Sequence, residues 1–539
     1  MLGQMMDDPL TITSIMAFAD RVFGNTEIVS VTADNPRHRC TFGEAFARAR
    51  RLANVLDGLA LARGDRIATL AWNDYRHFEL YYGISCAGYV CHTINPRLFP
   101  EQIAYIANHA EDQWIFTDVA FVPLLEKLQD QLQTVKGFVV LTTQALMPAT
   151  TLKNVHCYEA LIADQPDHYD WPLLDENSAS ALCYTSGTTG HPKGVLYSHR
   201  STVLHCLATS MRDVIGLAAG DTVLPVVPMF HVNAWGVVYS AAAAGARLVF
   251  PGPKMGDGET LAQLINEESV DLALGVPTVW LALVNHLRDS GGAVPSLKRV
   301  VIGGAACPEA LLRALDQFGV YAHIGWGMTE MSPLGTLNTL LPWMEELPEA
   351  EKTAYRLKAG RLIYGVQMRI VDDSGSELPW DGKSSGRLQV RGPWVCKGYY
   401  RLDHSDAHLP DGWFDTGDVA AIDAHGYMQI TDRTKDVIKS GGEWISSIEV
   451  ENAAMGHPDV LEAAVIGVPH PKWTERPLLV VVKRPGTHPA KEAILAFLKG
   501  KIATWWIPED CVFVEFIPHT ATGKVSKKDL RDQFRDYSY

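Results

Sequence analysis

Twelve residues restrict the fold more than any others: Cys183-Tyr-Thr-Ser-Gly-Thr-Thr-Gly-His-Pro-Lys-Gly194, with three glycines, four Ser/Thr hydroxyls and one lysine. Backbone N–H groups bared by glycine, together with hydroxyl donors, make an adaptable cradle for an anion. The common nucleotide loop, G-x-x-x-x-G-K-[ST], carries its Lys-Ser or Lys-Thr pair into a helix. Here Lys193 stands between Pro192 and Gly194, so the segment cannot open a helix in that way. It follows the small and apolar run Ala179-Ser-Ala-Leu. Alone, such a stretch is also readable as a flexible turn.

Apolar runs at Arg66–Ala71, Gly137–Thr142, Ala246–Phe250 and Lys298–Gly303 have the look of buried strands, and Phe42–Leu59 and Glu309–Phe318 have helical spacing. Strand and helix alternating in this way predict an α/β fold with covered, largely parallel sheets. Ligands of such sheets sit at the carboxyl ends of the strands, where the segment after Tyr184 belongs. From Gly386 to Ile430 the alternation has period two, which predicts a small, antiparallel, barrel-like part. After Asp432-Arg-Thr-Lys-Asp436 the chain has its own strands at Ala463–Val468 and Leu478–Val482 and a helix near Ala490–Lys499. The expected division is therefore a large N-terminal domain, 1–434, and a small α+β C-terminal domain, 435–539.

A formal charge of −15 over 539 residues disfavours nucleic acid or an anionic membrane as the main partner. Nine scattered cysteines without a C-x-x-C pair predict reduced thiols and a cytoplasmic protein. Leu224–Ala246 carries no formal charge, but Pro225, Pro228, His231 and Asn233 fill its first half. It reads as strand, loop and small-residue helix, with no membrane span expected.

Other stretches supply what a phosphate loop lacks. In Gly325-Trp-Gly-Met-Thr-Glu330, Glu330 can hold a magnesium ion, which bridges phosphates through one or two carboxylates. Thr329 can donate to a phosphate oxygen, and Trp326 offers a flat face to an adenine, although it reads equally as a core aromatic. Ile302-Gly-Gly-Ala-Ala-Cys307 ends a strand with residues small enough to admit a flat ring. Asp418 can accept from ribose hydroxyls, with Arg433 nearby; each alone reads more simply as a solvated surface charge.

The ordered set YTSGTTGHPKG, MFHVNAW, GWGMTE, WFDTGD, DRTKDVIKSGGEWIS and TATGK resembles the adenylate-forming superfamily, and within it the fatty-acyl-CoA ligases. The likeness covers essentially the whole chain. Ile94-Asn-Pro-Arg-Leu-Phe-Pro100 and Pro225–Trp235 resemble a narrower branch containing medium-chain fatty-acyl-CoA and 3-methylmercaptopropionate-CoA ligases. The resemblance implies ATP, Mg²⁺ and coenzyme A, with an acyl-adenylate formed first and a thioester second. It implies that Thr185, Ser186, Gly187, Thr188, Thr189, Gly190 and Lys193 hold the phosphates. Gly304, Ala305, Ala306, Trp326, Gly327, Met328, Asp418 and Arg433 would hold the nucleoside. Lys524, Glu330, Thr329 and His231 would serve the chemistry, with Glu330 on the metal and His231 in a positioning role. Lys435 matches a pivot, and Lys439, Gly441, Gly442, Glu443 and Trp444 match a segment presented to coenzyme A after the small domain turns. Relatives often pair as homodimers.

The acyl pocket implied by the resemblance is lined by His231, Val232, Trp235, Gly303, Gly327, Met328, Pro333 and Leu334. Gly327 matches a position where acetate-specific relatives carry a tryptophan, so a longer acid is expected. Trp235 is either a moving gate or a fixed wall. An acid of about four to ten carbons and 3-methylmercaptopropionate both suit an apolar pocket, because such pockets separate one methylene by only about 10–200-fold. A carrier-loading adenylation domain, a luciferase-like oxygenase and a non-catalytic nucleotide sensor share these motifs; intact Glu330 and Lys524 weigh against the last.

Overall fold

The computed structural model describes residues 1, 3–185, 191–440, 443–520, 525–537 and 539, without the side chains of Glu443 and Trp444. Among the described residues the strands form sheets of thirteen, seven and five. In the seven-stranded sheet, six strands run parallel in the order Val155–Cys157, Gly137–Val140, Trp114–Thr117, Arg66–Leu70, Val90–Thr93 and Ala179–Tyr184. Most of their residues are buried, as expected where helices cover both faces. The last strand, Gly194–Ser198, returns antiparallel along Ala179–Tyr184 with Tyr184 opposite Gly194. Gly194 therefore opens a strand paired with the one that ends at Tyr184, and not a helix, as Pro192 and Gly194 required.

In the thirteen-stranded sheet a parallel half includes Thr222–Pro225, Leu272–Gly275, Arg299–Ile302 and Tyr321–Gly327. At Tyr321–Gly327 the pairing turns antiparallel, and the strands between Leu334 and Arg433 continue the same sheet. The region of period-two alternation is thus joined edge to edge with the parallel half. Its last strand, Tyr427–Arg433, is followed by Ile438–Ser440, the first strand of the five-stranded sheet.

Local chemistry accounts for the helices that pack these sheets. Thr41 Oγ1 accepts from Glu44 N at 3.2 Å while the Glu44 carboxylate accepts from Thr41 N at 2.8 Å, a reciprocal cap for helix Phe42–Asp57. Helix Tyr75–Cys86 starts at Asp74, whose Oδ1 accepts from His77 N, and all twelve of its residues are buried. Its charges are paired there: Glu79 with Arg48, and Arg76 with Asp34 and Glu159. Burial of this kind is tolerated only when the charged groups are matched. No helix among the described residues is long and apolar enough to cross a membrane.

Candidate active site

A cavity of about 1570 Å³ opens where the carboxyl ends of the two large sheets meet. Its floor comes from strands Arg299–Ile302 and Tyr321–Gly327 and the turns that follow them. After Ile302 the chain passes through Gly303 and Gly304, the latter at φ +82°, where a side chain is disfavoured. Ala305 and Ala306 complete this small-residue wall.

One side of the cavity carries polar partners drawn from distant segments. The Trp326 indole N–H donates to Asp418 Oδ2 at 2.9 Å. Asp418 and Arg433 face each other across neighbouring antiparallel strands, with Arg433 Nε 3.6 Å from Asp418 Oδ1. Thr329 and Glu330 form a short 3₁₀ turn beside them; the Tyr197 hydroxyl donates to Thr329 O at 2.6 Å. Glu330 accepts from the Tyr399 hydroxyl at 2.7 Å. Burial pushes the Glu330 carboxyl up, against the Tyr399 bond and the positive charges of Lys193 and Arg433, which favour its ionised form. Lys193 Nζ lies 4.8 Å over the Tyr399 ring.

Another part of the lining, Val232 and Trp235, rests on an unusual backbone. Val232, Asn233, Ala234, Trp235 and Gly236 are consecutively left-handed, with φ from 46° to 76°. For L-residues this costs roughly 1–2 kcal/mol each, so surrounding bonds must hold it. Asn73 does so upstream: its Nδ2 donates to Pro225 O and Val227 O, and its Oδ1 accepts from Met229 N. Within the turn, Asn233 Oδ1 accepts from the Tyr81 hydroxyl at 3.3 Å. The result aims Trp235 at Gly303, where a Cβ would stand 2.9 Å from the indole. The other wall, Pro333–Leu334, is held by buried His205, whose Nε2 accepts from Leu334 N, and by Trp394 Nε1, which donates to Leu334 O.

Gly327 lines the cavity, and backbone stands close beside it. A Cβ there would lie 2.1 Å from Pro333 O, and Met328 N donates to that same carbonyl.

The cavity gathers Thr185, Lys193, His231, Val232, Trp235, Gly303–Ala306, Trp326–Glu330, Pro333, Leu334, Asp418, Arg433 and Lys435. Lys435 is exposed at the cavity's edge, and partial desolvation, with Arg433 nearby, lowers the pKa of its ammonium. Lys439 does not line the cavity; its N–H donates to Glu475. From the small unit, the lining is Ile448, Glu449, Asn452, Ala453 and Gly456, on and just after helix Ser447–Met455, with Lys501 and Ile502. Glu443 and Trp444 lie on a strand hairpin. Ser186, Gly187, Thr188, Thr189, Gly190, Gly441, Gly442 and Lys524 lie outside the described residues. Sequence reading passed over Tyr399, Asn73, Tyr81 and His205; no motif announces a residue that acts by holding another.

The profile of the AMP-binding enzyme family matches residues 18–400, and that of the AMP-binding enzyme C-terminal domain matches residues 449–524. The chain belongs to the AMP-binding enzyme family. It is an adenylate-forming acyl-CoA ligase, an enzyme class that uses ATP and coenzyme A. A 3-methylmercaptopropionyl-CoA ligase of Ruegeria lacuscaerulensis is 53% identical over 537 residues, covering 99% of both chains. A medium-chain-fatty-acid–CoA ligase of Ectopseudomonas oleovorans is 50% identical over 99% of this chain and 98% of its own. An anthranilate CoA ligase solved with anthranoyl-AMP shares the fold, with a TM-score of 0.88 at 24% identity over 98% of each chain.

Proposed function

We propose that this ligase activates a linear acid of short to medium length, and that Trp235 sets the length. The observation that carries the reading is the indole standing against Gly303 at the apolar end of the cavity. Pro333 and Leu334 line the same cavity. The acid carboxylate would enter near His231, which positions it. One carboxylate oxygen attacks the α-phosphorus of ATP, and the bond from that phosphorus to the pyrophosphate oxygen breaks. The coenzyme A thiol, losing its proton, then attacks the acyl carbonyl and expels AMP.

In this reading Thr185 and Lys193, with Ser186–Gly190, hold the β- and γ-phosphates. Trp326, Asp418 and Arg433 receive the nucleoside. The donor set also suits magnesium. Glu330 is a buried carboxylate raised by desolvation, and among the described residues no three His, Cys, Asp or Glu side chains converge as a protein-only metal cage. One carboxylate plus phosphate oxygens is the usual arrangement for this ion. When bound, it neutralises charge on the departing pyrophosphate. Lys524 would be delivered by the small unit for the first step and withdrawn for the second, turning about Thr434–Lys435. The same reading makes the protein cytoplasmic, where its free thiols persist, and a homodimer, which sedimentation would test.

A second reading is favoured by two relatives named 3-methylmercaptopropionyl-CoA ligase, at 53% and 52% identity over 99% of the chain. Its acid, a short thioether, has the length of pentanoate. Pyrophosphate release with MgATP and coenzyme A, over acids from acetate to palmitate plus 3-methylmercaptopropionate and cinnamate, separates these readings. A maximum between about four and ten carbons supports the first. A kcat/KM for 3-methylmercaptopropionate well above that for pentanoate supports the second, and a maximum at palmitate overturns both.

A further inference from the structure

Helix Pro100–Ala110 docks through Ile103, Ala104, Ile106, Ala107 and Ala110, all buried. Two half-buried residues one turn apart, Tyr105 and His109, lie off that face. Both reach the hairpin that carries Lys193. His109 Nδ1 shares a hydrogen bond of 2.7 Å with the Tyr184 hydroxyl on the outgoing arm. The Tyr105 ring stacks on His191 of the returning arm, centroids 4.5 Å apart and planes 22° from parallel. The two rings also stack on each other at 5.5 Å.

A strap from the far side completes the grip. Tyr400 packs edge-on against His109, and its N–H donates to Gly194 O at 2.8 Å. Arg401 donates to His109 O. Between the arms, Thr185 N donates to Lys193 O and Lys193 N to Thr185 Oγ1. Fixing Tyr184 and His191 therefore fixes the frame from which Thr185 and Lys193 project.

We propose that Tyr105 and His109 are positioning residues for adenylation, holding the two arms of the hairpin in the spacing that a triphosphate needs. This rests on the reading that the hairpin receives the β- and γ-phosphates. Neither residue lines the cavity, so each acts through Tyr184 or His191. Loss of one ring contact or one hydrogen bond at such a distance corresponds to roughly a three- to tenfold effect.

The decisive comparison is between α,β-methylene-ATP and AMP, since AMP lacks the phosphates concerned. Tyr105→Leu and His109→Ala should each weaken binding of the ATP analogue about three- to tenfold and leave AMP binding within about twofold. The KM for ATP in pyrophosphate release should rise in parallel. Coenzyme A-dependent AMP release from supplied acyl-adenylate should stay unchanged. Tyr105→Phe, which keeps the ring, and His109→Asn, which keeps a polar atom near the Nδ1 position, should restore the ATP analogue. Lys193→Ala serves as the reference. If Lys193→Ala weakens the ATP analogue selectively but the helix variants do not, the positioning role is wrong. Equal weakening of ATP analogue and AMP reduces both residues to structural ones and overturns it. Failure of Lys193→Ala to discriminate removes the phosphate reading and the proposal with it. Unfolding of Tyr105→Leu also counts against it, because the helix is docked by its other face.

Discussion

Tyr399 holds Glu330: its hydroxyl donates to Glu330 Oε1 at 2.7 Å, and its ring lies 4.8 Å under Lys193 Nζ. One side chain thereby touches the carboxylate expected on magnesium and the lysine expected on phosphate. Tyr399→Phe keeps the ring and removes the donor. Hydrogen bonds to charged groups contribute about 1.5–3 kcal/mol, so adenylation should slow about tenfold or more. The pH profile should move as well. Burial already raises the Glu330 carboxyl, and the Tyr399 bond opposes that shift. Without it the ionised form is reached only at higher pH, so the acid limb of pyrophosphate release should shift upward. An acid limb that stays in place would show that Tyr399 does not govern Glu330.

The Trp326–Asp418 hydrogen bond, 2.9 Å long, ties two groups expected on the nucleoside. Asp418→Asn preserves shape and an acceptor but removes the charge beside Arg433. ATP and AMP should weaken by the same factor, roughly tenfold, as charge-assisted bonds are lost. Calorimetric titration of both nucleotides measures this, and a loss confined to ATP would place Asp418 at the phosphates instead.

The Gly-rich segment, Glu330, Trp326 and Asp418 are legible as candidates because the chemistry proposed for them calls for particular residue types: glycine and hydroxyls for an anion, a carboxylate for a cation. The strands and helices around them were legible for a similar reason, since buried runs and helical spacing reflect local periodicity. Val232–Gly236 was not. Of its five residues only Asn233 and Gly236 are types that favour positive φ; Tyr81 binds the turn at Asn233, and Asn73 fixes Pro225, Val227 and Met229 just before it. Helix Tyr75–Cys86 is buried all round, so no polar face marks it in the sequence. The placement of Gly327 depends on Pro333 returning to within reach of it, a tertiary contact that no single segment encodes.

Between the last strand of the thirteen-stranded sheet and the first of the five-stranded sheet lie only residues 434–437. The flanks are bound: Thr434 N donates to Gly417 O, Asp432 accepts from Ser447, and Asp436 pairs with Arg531. Proline at position 435 would fix its φ near −65° and restrict Thr434. If the small unit turns here between half-reactions, Lys435→Pro should slow thioester formation at least about tenfold and adenylation less than about threefold, as expected for a hinge. Single-turnover assays of each step decide this; equal losses would remove the pivot role.

Acid should loosen the acyl wall. Burial lowers the His205 imidazole to about 3 and His77 and His199 to about 4. Their folded values lie below the unfolded value of 6.5, so the unfolded chain binds more protons between those limits. The stability they contribute is present above pH 6.5 and falls as pH drops toward 4, by about 1.4 kcal/mol per pH unit for each group. His205→Gln, which retains an acceptor for Leu334 N, should remove one group's share of that slope. Urea midpoints from pH 7.5 to 4.5 test it, and an unchanged slope would mean that His205 takes up its proton in the folded state.

Trp235 offers the sharpest test of the acyl pocket, because its conformation is set by the backbone below it. The indole meets Gly303, and Val232, Ala234, Val237 and Val238 around the turn are buried. Trp235→Ala keeps a Cβ at a φ of 56° and removes the wall. If the indole limits length, kcat/KM should rise for acids two or more carbons beyond the wild-type optimum and fall for shorter ones. The gain per added methylene should approach about 0.8 kcal/mol, or roughly fourfold, where the chain enters apolar space. A gate that already opens for long acids gives a different pattern: long acids gain nothing, and all chain lengths change by one factor. Gly303→Ala adds the reciprocal test, since its Cβ would press the indole from the other side at 2.9 Å. That variant should shift the optimum toward shorter acids if Trp235 stays fixed, and leave it in place if the ring swings away.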